Sequence, residues 1–302
     1  MSRRRNKGRP LSGLLLLDKP TGESSNRSLQ KVKRIFNAAK AGHTGTLDPL
    51  ATGLLVICFG RATKISDYLL VADKKYEVVL KLGVTTDSGD ADGEIIEQRR
   101  TADITKEQIL QGIKKLTGCI KQIPPMYSAL KHQGSRLYEL ARKGIEVERE
   151  PREVEIHSYD FVEQRQDLVT LRVHCSKGTY VRTLVEDLGK FLGCGAHVVQ
   201  LRRTSLGPFV DMRMYTIEEL EQRAGQSLSN LDEVLLPTDQ ALMAWPAISI
   251  EDELMTDIRN GHAIQVPGQP MSGMVRIYDA EQQFYGIGSI RDDGLLAPKC
   301  LN

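Results

Sequence analysis

The sequence predicts an α+β protein in two unequal parts, a large region of interleaved strands and helices followed by a small, mostly β region. Three observations carry that expectation. The chain has 302 residues, the length of two domains or of one large domain with an appendage. Short apolar runs alternate with helix-period stripes as far as Trp245. Beyond Trp245-Pro246 the texture changes to one short helical pattern and then brief β-rich runs punctuated by Gly and Pro. The resulting division is a basic tail at 1–10, a main domain at 11–245 with an insertion at about 120–152, and a C-terminal domain at 246–302.

Leu14 to Asp18 reads as a short buried strand that stops at the turn Lys19-Pro20-Thr21-Gly22. A helix follows, capped by Ser24 or Ser25, with Leu29, Val32, Ile35, Phe36 and Ala39 on one stripe. Gly42 to Gly53 reads as a loop, Leu54 to Phe59 as a second buried strand, and Lys75 to Leu82 as a third. Thr105 and Gln108 form a capping box for a helix to about Leu116, and Pro124-Pro125 breaks what comes next. Val169, Leu171, Val173 and Cys175 alternate with polar residues in the cleanest half-buried strand of the sequence. A helix then runs from about Tyr180 to Leu192, and Thr216 with Glu219 opens another. In the C-terminal region Met274 to Tyr278 and Phe284 to Ile290 read as strands.

Hydrophobic residues at 40% and charged residues at 26% exclude a disordered, collagen-like or membrane-spanning chain. Five cysteines with no CxxC spacing argue against a disulfide framework and a zinc knuckle, and point to a reducing compartment. The apolar run Leu14 to Leu17 is too short for a signal peptide, so the expected location is the cytoplasm. Lys and Arg number 41 against 39 Asp and Glu, a net charge of +2, so a polyanion would have to be met by local patches. One is the tail, with Arg3, Arg4, Arg5, Lys7 and Arg9 and no acid; the remaining 292 residues carry a net −3. A second runs from Gln111 to Lys143, where seven bases face the single acid Glu139. Either patch can equally be a solvated face.

The acidic cluster Asp87 to Gly93 fails as a calcium loop, because aligning Gly93 with the turn glycine puts Arg99 where the bidentate Glu belongs. It reads as a polar turn. GxxxxGK[ST], HExxH and GxSxG are absent, which removes the common nucleotide hydrolases, zinc proteases and serine hydrolases. What remains is Ala41 to Leu54, with three glycines, His43 and Asp48-Pro49 between a helix and a buried strand. Asp48 is either a turn initiator or a working carboxylate. Arg182 falls in the first turn of its helix, where the dipole disfavours a cation. It either points to solvent or pairs with an anion, and pairing with Asp48 would hold that carboxylate ionised and lower its pKa, as a nucleophile requires. Tyr76 and Tyr180 are core or rim aromatics by default, with base stacking as the alternative.

The segment Gly42-His43-Thr44-Gly45-Thr46-Leu47-Asp48-Pro49, with Ala51 and Gly53, closely resembles the signature of TruB-type tRNA pseudouridine-55 synthases. The likeness continues through Leu14 to Pro20, Lys75-Tyr76, Ile123 to Ala129, Cys175 to Arg182 and Leu201 to Arg203, in order and over about two thirds of the chain. It implies a large, mixed and mostly antiparallel sheet with flanking helices, followed by a small PUA-like RNA-binding domain. It implies isomerisation of a T-loop uridine in tRNA by base flipping, without a cofactor or a metal. Asp48 matches the nucleophile, Tyr76 the tyrosine that stacks on the uracil and assists loss of the C5 proton, and Arg182 the partner of the aspartate. Tyr180 and Leu201 would line the base pocket, and His43 would fill the space left by the extruded nucleotide. Lys19, Lys64, Lys131, Arg136, Arg142, Lys143 and Arg202 would meet the RNA, the insertion lying along the T-arm backbone. Asp90 departs from the threonine or serine pattern of relatives and has no expected role, and the region after Trp245 is either RNA-binding or a structural cap. The expected protein is a monomer with tRNA as partner, with no membrane and no obligate protein partner. Its rivals are a non-catalytic tRNA-binding or folding chaperone and a pseudouridine synthase of another RNA.

Overall fold

The four leucines Leu14–Leu17 are continuous rather than alternating because their strand is covered on both faces. Leu15 and Leu17 enter one core and Leu14 and Leu16 another, all with 2% exposure or less. Residues 8–266 and 272–301 are described in the computed structural model of the chain. In chain order the first elements are β1 Gly13–Lys19, α1 Ser25–Ile35, β2 Ala41–Thr44, β3 Thr52–Phe59, α2 Ser66–Leu70, β4 Lys74–Leu82, β5 Val84–Thr86, β6 Ile95–Gln98, α3 Lys106–Lys115 and β7 Gly118–Gln122. Then come β8 Lys131–His132, β9 Ser135–Arg136, α4 Leu137–Ala141, β10 Arg152–Arg165, β11 Leu168–Cys175, α5 Val181–Leu192, β12 Ala196–Leu206, α6 Ile217–Gln226 and α7 Leu228–Asp232. The last are β13 Ala247–Ser249, α8 Asp252–Arg259, β14 Ile264–Gln265, β15 Gly273–Tyr278, β16 Phe284–Ile290 and β17 Leu295–Leu301.

The main sheet runs β1-β3-β12-β4-β11-β10-β7, with β2 also on β3. Every pairing in it is antiparallel except the short parallel contact of β12 with β3, so the sheet is mixed and mostly antiparallel. The free edge of β1 is occupied by Leu236 and Tyr215, whose backbones bond to Leu14, Leu16 and Asp18 at 2.8–2.9 Å. One face packs on α1, α3, α5 and α6 through Leu29, Val32, Ile113, Leu184, Leu188 and Leu220. On the other face Leu54, Val56 and Cys58 meet Ala62, Ile65, Leu69, Phe209 and, from the C-terminal sheet, Ile287. That second sheet, ordered β13-β15-β16-β17-β14, keeps its own core with α8 around Ile248, Met255, Ile258, Ile277 and Leu296.

Helix starts follow the capping residues. Ser24 accepts from the Arg27 N–H, and the Thr105/Gln108 and Thr216/Glu219 boxes are both closed. Where β12 crosses to β3, Gly53 has φ +92° and a Cβ would lie 2.3 Å from the Arg203 carbonyl, so only glycine permits the approach. Two expectations are corrected. Gly42 to Gly53 is not all loop: Ala41–Thr44 pairs with β3, which itself starts at Thr52. The insertion does not begin at 120, because Ile120 and Gln122 are bonded into the sheet opposite Val154 and Arg152; the excursion from it is residues 123–151. Arg3, Arg4, Arg5 and Lys7 of the basic tail lie outside the described residues, and Arg9 forms a two-bond ion pair with Asp232. Among the described residues no helix is long and apolar enough to cross a membrane.

Candidate active site

Asp48 sits in the residues left unpaired between β2 and β3, and the stretch Lys19 to Ser25 straps that loop down. The buried Lys19 ammonium donates to the carbonyls of Pro20, Pro49 and Ala51 at 2.9, 3.3 and 2.7 Å. Ser25 Oγ accepts from the Leu47 N–H at 2.8 Å and donates to the Leu47 carbonyl at 3.0 Å. The Gly22 N–H reaches the Pro49 carbonyl at 2.8 Å and Thr21 Oγ1 the Leu50 carbonyl at 3.1 Å. Leu47, anchored in the core at 3% exposure, fixes the residue next to the carboxylate. From the base of the loop, Arg203 Nε donates to the Leu54 carbonyl at 2.7 Å and its Nη2 to Gly45 at 3.1 Å.

Arg182 comes to this loop from the first turn of α5. That helix has no side-chain cap; instead the buried Gln122 at the end of β7 clamps the Tyr180 backbone, accepting from its N–H at 2.7 Å and donating to its carbonyl at 3.0 Å. The 4%-exposed Arg182 places Nε 2.9 Å from Asp48 Oδ2, a charge contact off the line of a hydrogen bond. Its Nη1 lies 3.3 Å from Asp90 Oδ2 and donates to the Ser88 carbonyl at 2.8 Å, while Nη2 donates to the Tyr127 carbonyl at 2.7 Å. Asp90 is itself held, accepting from Ser88 Oγ and from the Asp92 N–H at 3.2 Å. The turn Asp87 to Gly93 is therefore polar but not merely a turn: it brings a second buried carboxylate to one guanidinium, a partner the sequence does not reveal.

Burial sets the direction of the Asp48 pKa, and the shared guanidinium adjusts it. About a third of its side chain is solvent-reached (34%), yet protein surrounds it closely enough that burial pushes its pKa above the ordinary 3.8. Arg182 pulls it down, Asp90 pushes it back up, and the net direction is upward. The pair expected from the sequence is formed, but the expected lowering is not the result, because burial outweighs the pull of Arg182 and Asp90 adds a like charge beside it. Lys19 adds a smaller downward pull, and its own burial depresses its pKa to about 8.

Tyr76 lies in β4 opposite Arg203 in β12, 8% exposed, with its pKa raised by burial. Leu201, opposite Val78 in the same pair of strands, is 7% exposed. Tyr180 is half-buried under the Arg152 guanidinium, 4.8 Å from its ring centre. His43 lies in β2 with a buried Nδ1 lacking a partner, and burial and Arg203 lower its pKa. Lys131, Arg136, Arg142 and Lys143 are exposed together on the excursion, where Arg136 and Arg142 both lie over the Tyr138 ring. Lys64 is exposed in the turn after β3. One expected surface contact is corrected. Lys19 has no exposed surface and its donors are spent on the Asp48 loop. Arg202 donates to Asp18 by two bonds of 2.9 and 2.8 Å and keeps 40% of its side chain exposed. Two cavities flank the sheet, one of about 540 Å³ lined by Lys81, Thr86, Arg99 and His197 and one of about 250 Å³ by Glu77, Arg172 and His174; Asp48 lines neither.

The mostly antiparallel sheet that carries this site has a counterpart among solved structures. The chain superposes on one from the crystal structure of a Cbf5-Nop10-Gar1 complex with a TM-score of 0.75 and 25% identity, covering 96% of this chain and 84% of that one. The fold is that of the pseudouridine synthases. Residues 33–181 match the N-terminal domain of the TruB family pseudouridylate synthases, 182–243 the tRNA pseudouridylate synthase B C-terminal domain, and 246–301 the C-terminal domain of pseudouridine synthase II TruB. A tRNA pseudouridine synthase B of Nitrosococcus oceani is 49% identical over 99% of this chain and 97% of its own length. Another, from Aeromonas salmonicida, is 51% identical over 100% and 97%. The chain belongs to the TruB family of pseudouridylate synthases.

Proposed function

We propose that the chain isomerises uridine 55 in the T-loop of tRNA to pseudouridine, with Asp48 as nucleophile and without cofactor or metal. The observation that carries this reading is the Asp48 carboxylate 2.9 Å from the buried Arg182, in a chain about half identical to proteins named tRNA pseudouridine synthase B. A uracil stacked in a folded loop cannot be attacked until it is everted, and stacking on Tyr76 with His43 in the vacated space would offset part of the few kcal/mol lost. Burial raises the Tyr76 pKa, so its phenol is neutral in the free protein and stacking is the contribution it makes first. The Asp48 carboxylate attacks, and the glycosidic bond from N1 to C1′ breaks. The uracil turns in place, and C5 bonds to C1′. The C5 proton leaves and N1 gains one, so substrate and product have the same atoms. Asp48 is regenerated, and no redox partner is required.

Tyr180 and Leu201 are assigned to the wall of the base pocket. Arg182, steadied by Asp90 and the Tyr127 carbonyl, keeps the carboxylate aimed. Lys64, Lys131, Arg136, Arg142, Lys143 and Arg202 are assigned to the RNA backbone, where they supply affinity with little sequence choice. The protein is taken to act as a monomer in the cytoplasm. The test is to incubate unmodified tRNA with the purified chain and map pseudouridine by position. Conversion of the T-loop uridine alone is expected, and conversion elsewhere or none at all contradicts the reading.

A further inference from the structure

Residues 73, 157 and 174 are far apart in sequence and meet on the face of the main sheet opposite its helices. Val173 and Cys175 are buried in the core beneath α5, so the intervening His174 points the other way. His157 stands beside it in β10, with ring centres 4.6 Å apart. Asp73, in the turn before β4, places Oδ2 3.2 Å from His157 Nε2. One ligand atom from each of the three lies within 4.8 Å of the other two.

We propose that Asp73, His157 and His174 bind a divalent transition-metal ion of the zinc class. Two imidazoles and one carboxylate are the donor set such ions take, whereas magnesium and calcium prefer all-oxygen shells. The surroundings supply an independent argument. Glu155 Oε1 lies 3.6 Å from His157 Nδ1, on the side of the ring away from Asp73. A small side-chain rotation brings that carboxylate into hydrogen-bond range of Nδ1, where it holds the ring proton as outer carboxylates do for metal-bound histidines, and a bound ion displaces any proton that Nε2 now shares with Asp73. In a tetrahedral site, zinc bonds of about 2.0–2.2 Å put the donor atoms roughly 3.3–3.6 Å apart. The widest separation in the cluster must therefore close by roughly 1.2–1.5 Å, a movement within reach of side-chain rotations at these partly exposed residues on the strand surface. Three protein ligands leave a fourth position for water. A bound ion ties β10 and β11 to the turn that leads into β4, three residues before Tyr76.

The experiment uses the untagged full-length chain, stripped with EDTA. Zn²⁺ is titrated in competition with a chromophoric chelator, and Co²⁺ is added while its visible absorption is followed. One equivalent is expected to bind. His174→Ala and Asp73→Asn should each weaken binding at least tenfold and Glu155→Gln by about tenfold. Zn²⁺ should raise the unfolding temperature of the unaltered chain and not that of His174→Ala. If His174→Ala does not fold, the exposed Asp73→Asn carries the test. All these variants should keep full activity on tRNA in EDTA, so failure here is distinct from failure of the proposed function. Absence of saturable binding, binding undiminished in both ligand variants, or binding lost only with Cys119→Ser at the exposed thiol would overturn the proposal.

Discussion

Arg182 faces two carboxylates at once, and the charges around it modulate a titration of Asp48 that burial dominates. Removing the like charge in Asp90→Asn should lower the Asp48 pKa. In the proposed reaction the attacking form is the ionised one, so the rate is expected to fall as pH drops through the Asp48 pKa. The acid limb of the single-turnover profile should therefore shift to lower pH in Asp90→Asn, and an unmoved or raised limb would contradict the shared-cation account. Lys19 is the other residue whose role the structure changes. Lys19→Met fills the space but strips three carbonyls of their donor, and urea unfolding should register a loss of about 2 kcal/mol. Because the folded pKa of Lys19 is about 8 against 10.5 unfolded, the native state releases that proton first. Stability owed to this group is lowest below pH 8 and rises toward pH 10.5, so the gap between wild type and Lys19→Met should widen over that range.

Elements with an undisturbed period are legible in the sequence. The alternation of Val169 to Cys175, both capping boxes and the stripe of α1 from Leu29 to Phe36 appear where expected, although the helix ends before Ala39. The strands β10 and β12 are not legible, for a physical reason. Register shifts after Ile156 and Phe161 in β10, and after Val198 and Arg203 in β12, break the two-residue period on which a strand is recognised. The excursion at 123–151 is legible as a departure from the sheet because Pro124-Pro125 and its clustered bases announce it, although the pattern sets its start too early. Arg136 and Arg142 are exposed on it with guanidinium groups over Tyr138. Replacing both with Ala should weaken RNA binding and make the dependence of log K on log salt shallower by about one unit for each phosphate no longer neutralised. An unchanged salt slope would remove this element from the docking surface.

At the scale of the molecule, the site is a junction of segments that sequence alone cannot bring together. The motif around Asp48 is legible, and the Arg182 pairing can be framed as an alternative to solvent exposure, yet the shared Asp90, the buried Lys19 and the Gln122 clamp depend on contacts across the fold. Ile287 shows the same limit, since its strand belongs to the C-terminal sheet while its side chain enters the core of the main one. The account rests on Asp48 as the nucleophile toward an everted uridine. The most direct measurement is release of tritium from T-arm RNA labelled at uridine C5, followed in a single turnover with Asp48→Asn while binding is measured on the same RNA. Binding within a few-fold of wild type and release slower by about 10⁴-fold or more is the predicted result. Turnover by Asp48→Asn above a trace, with binding intact, would contradict it.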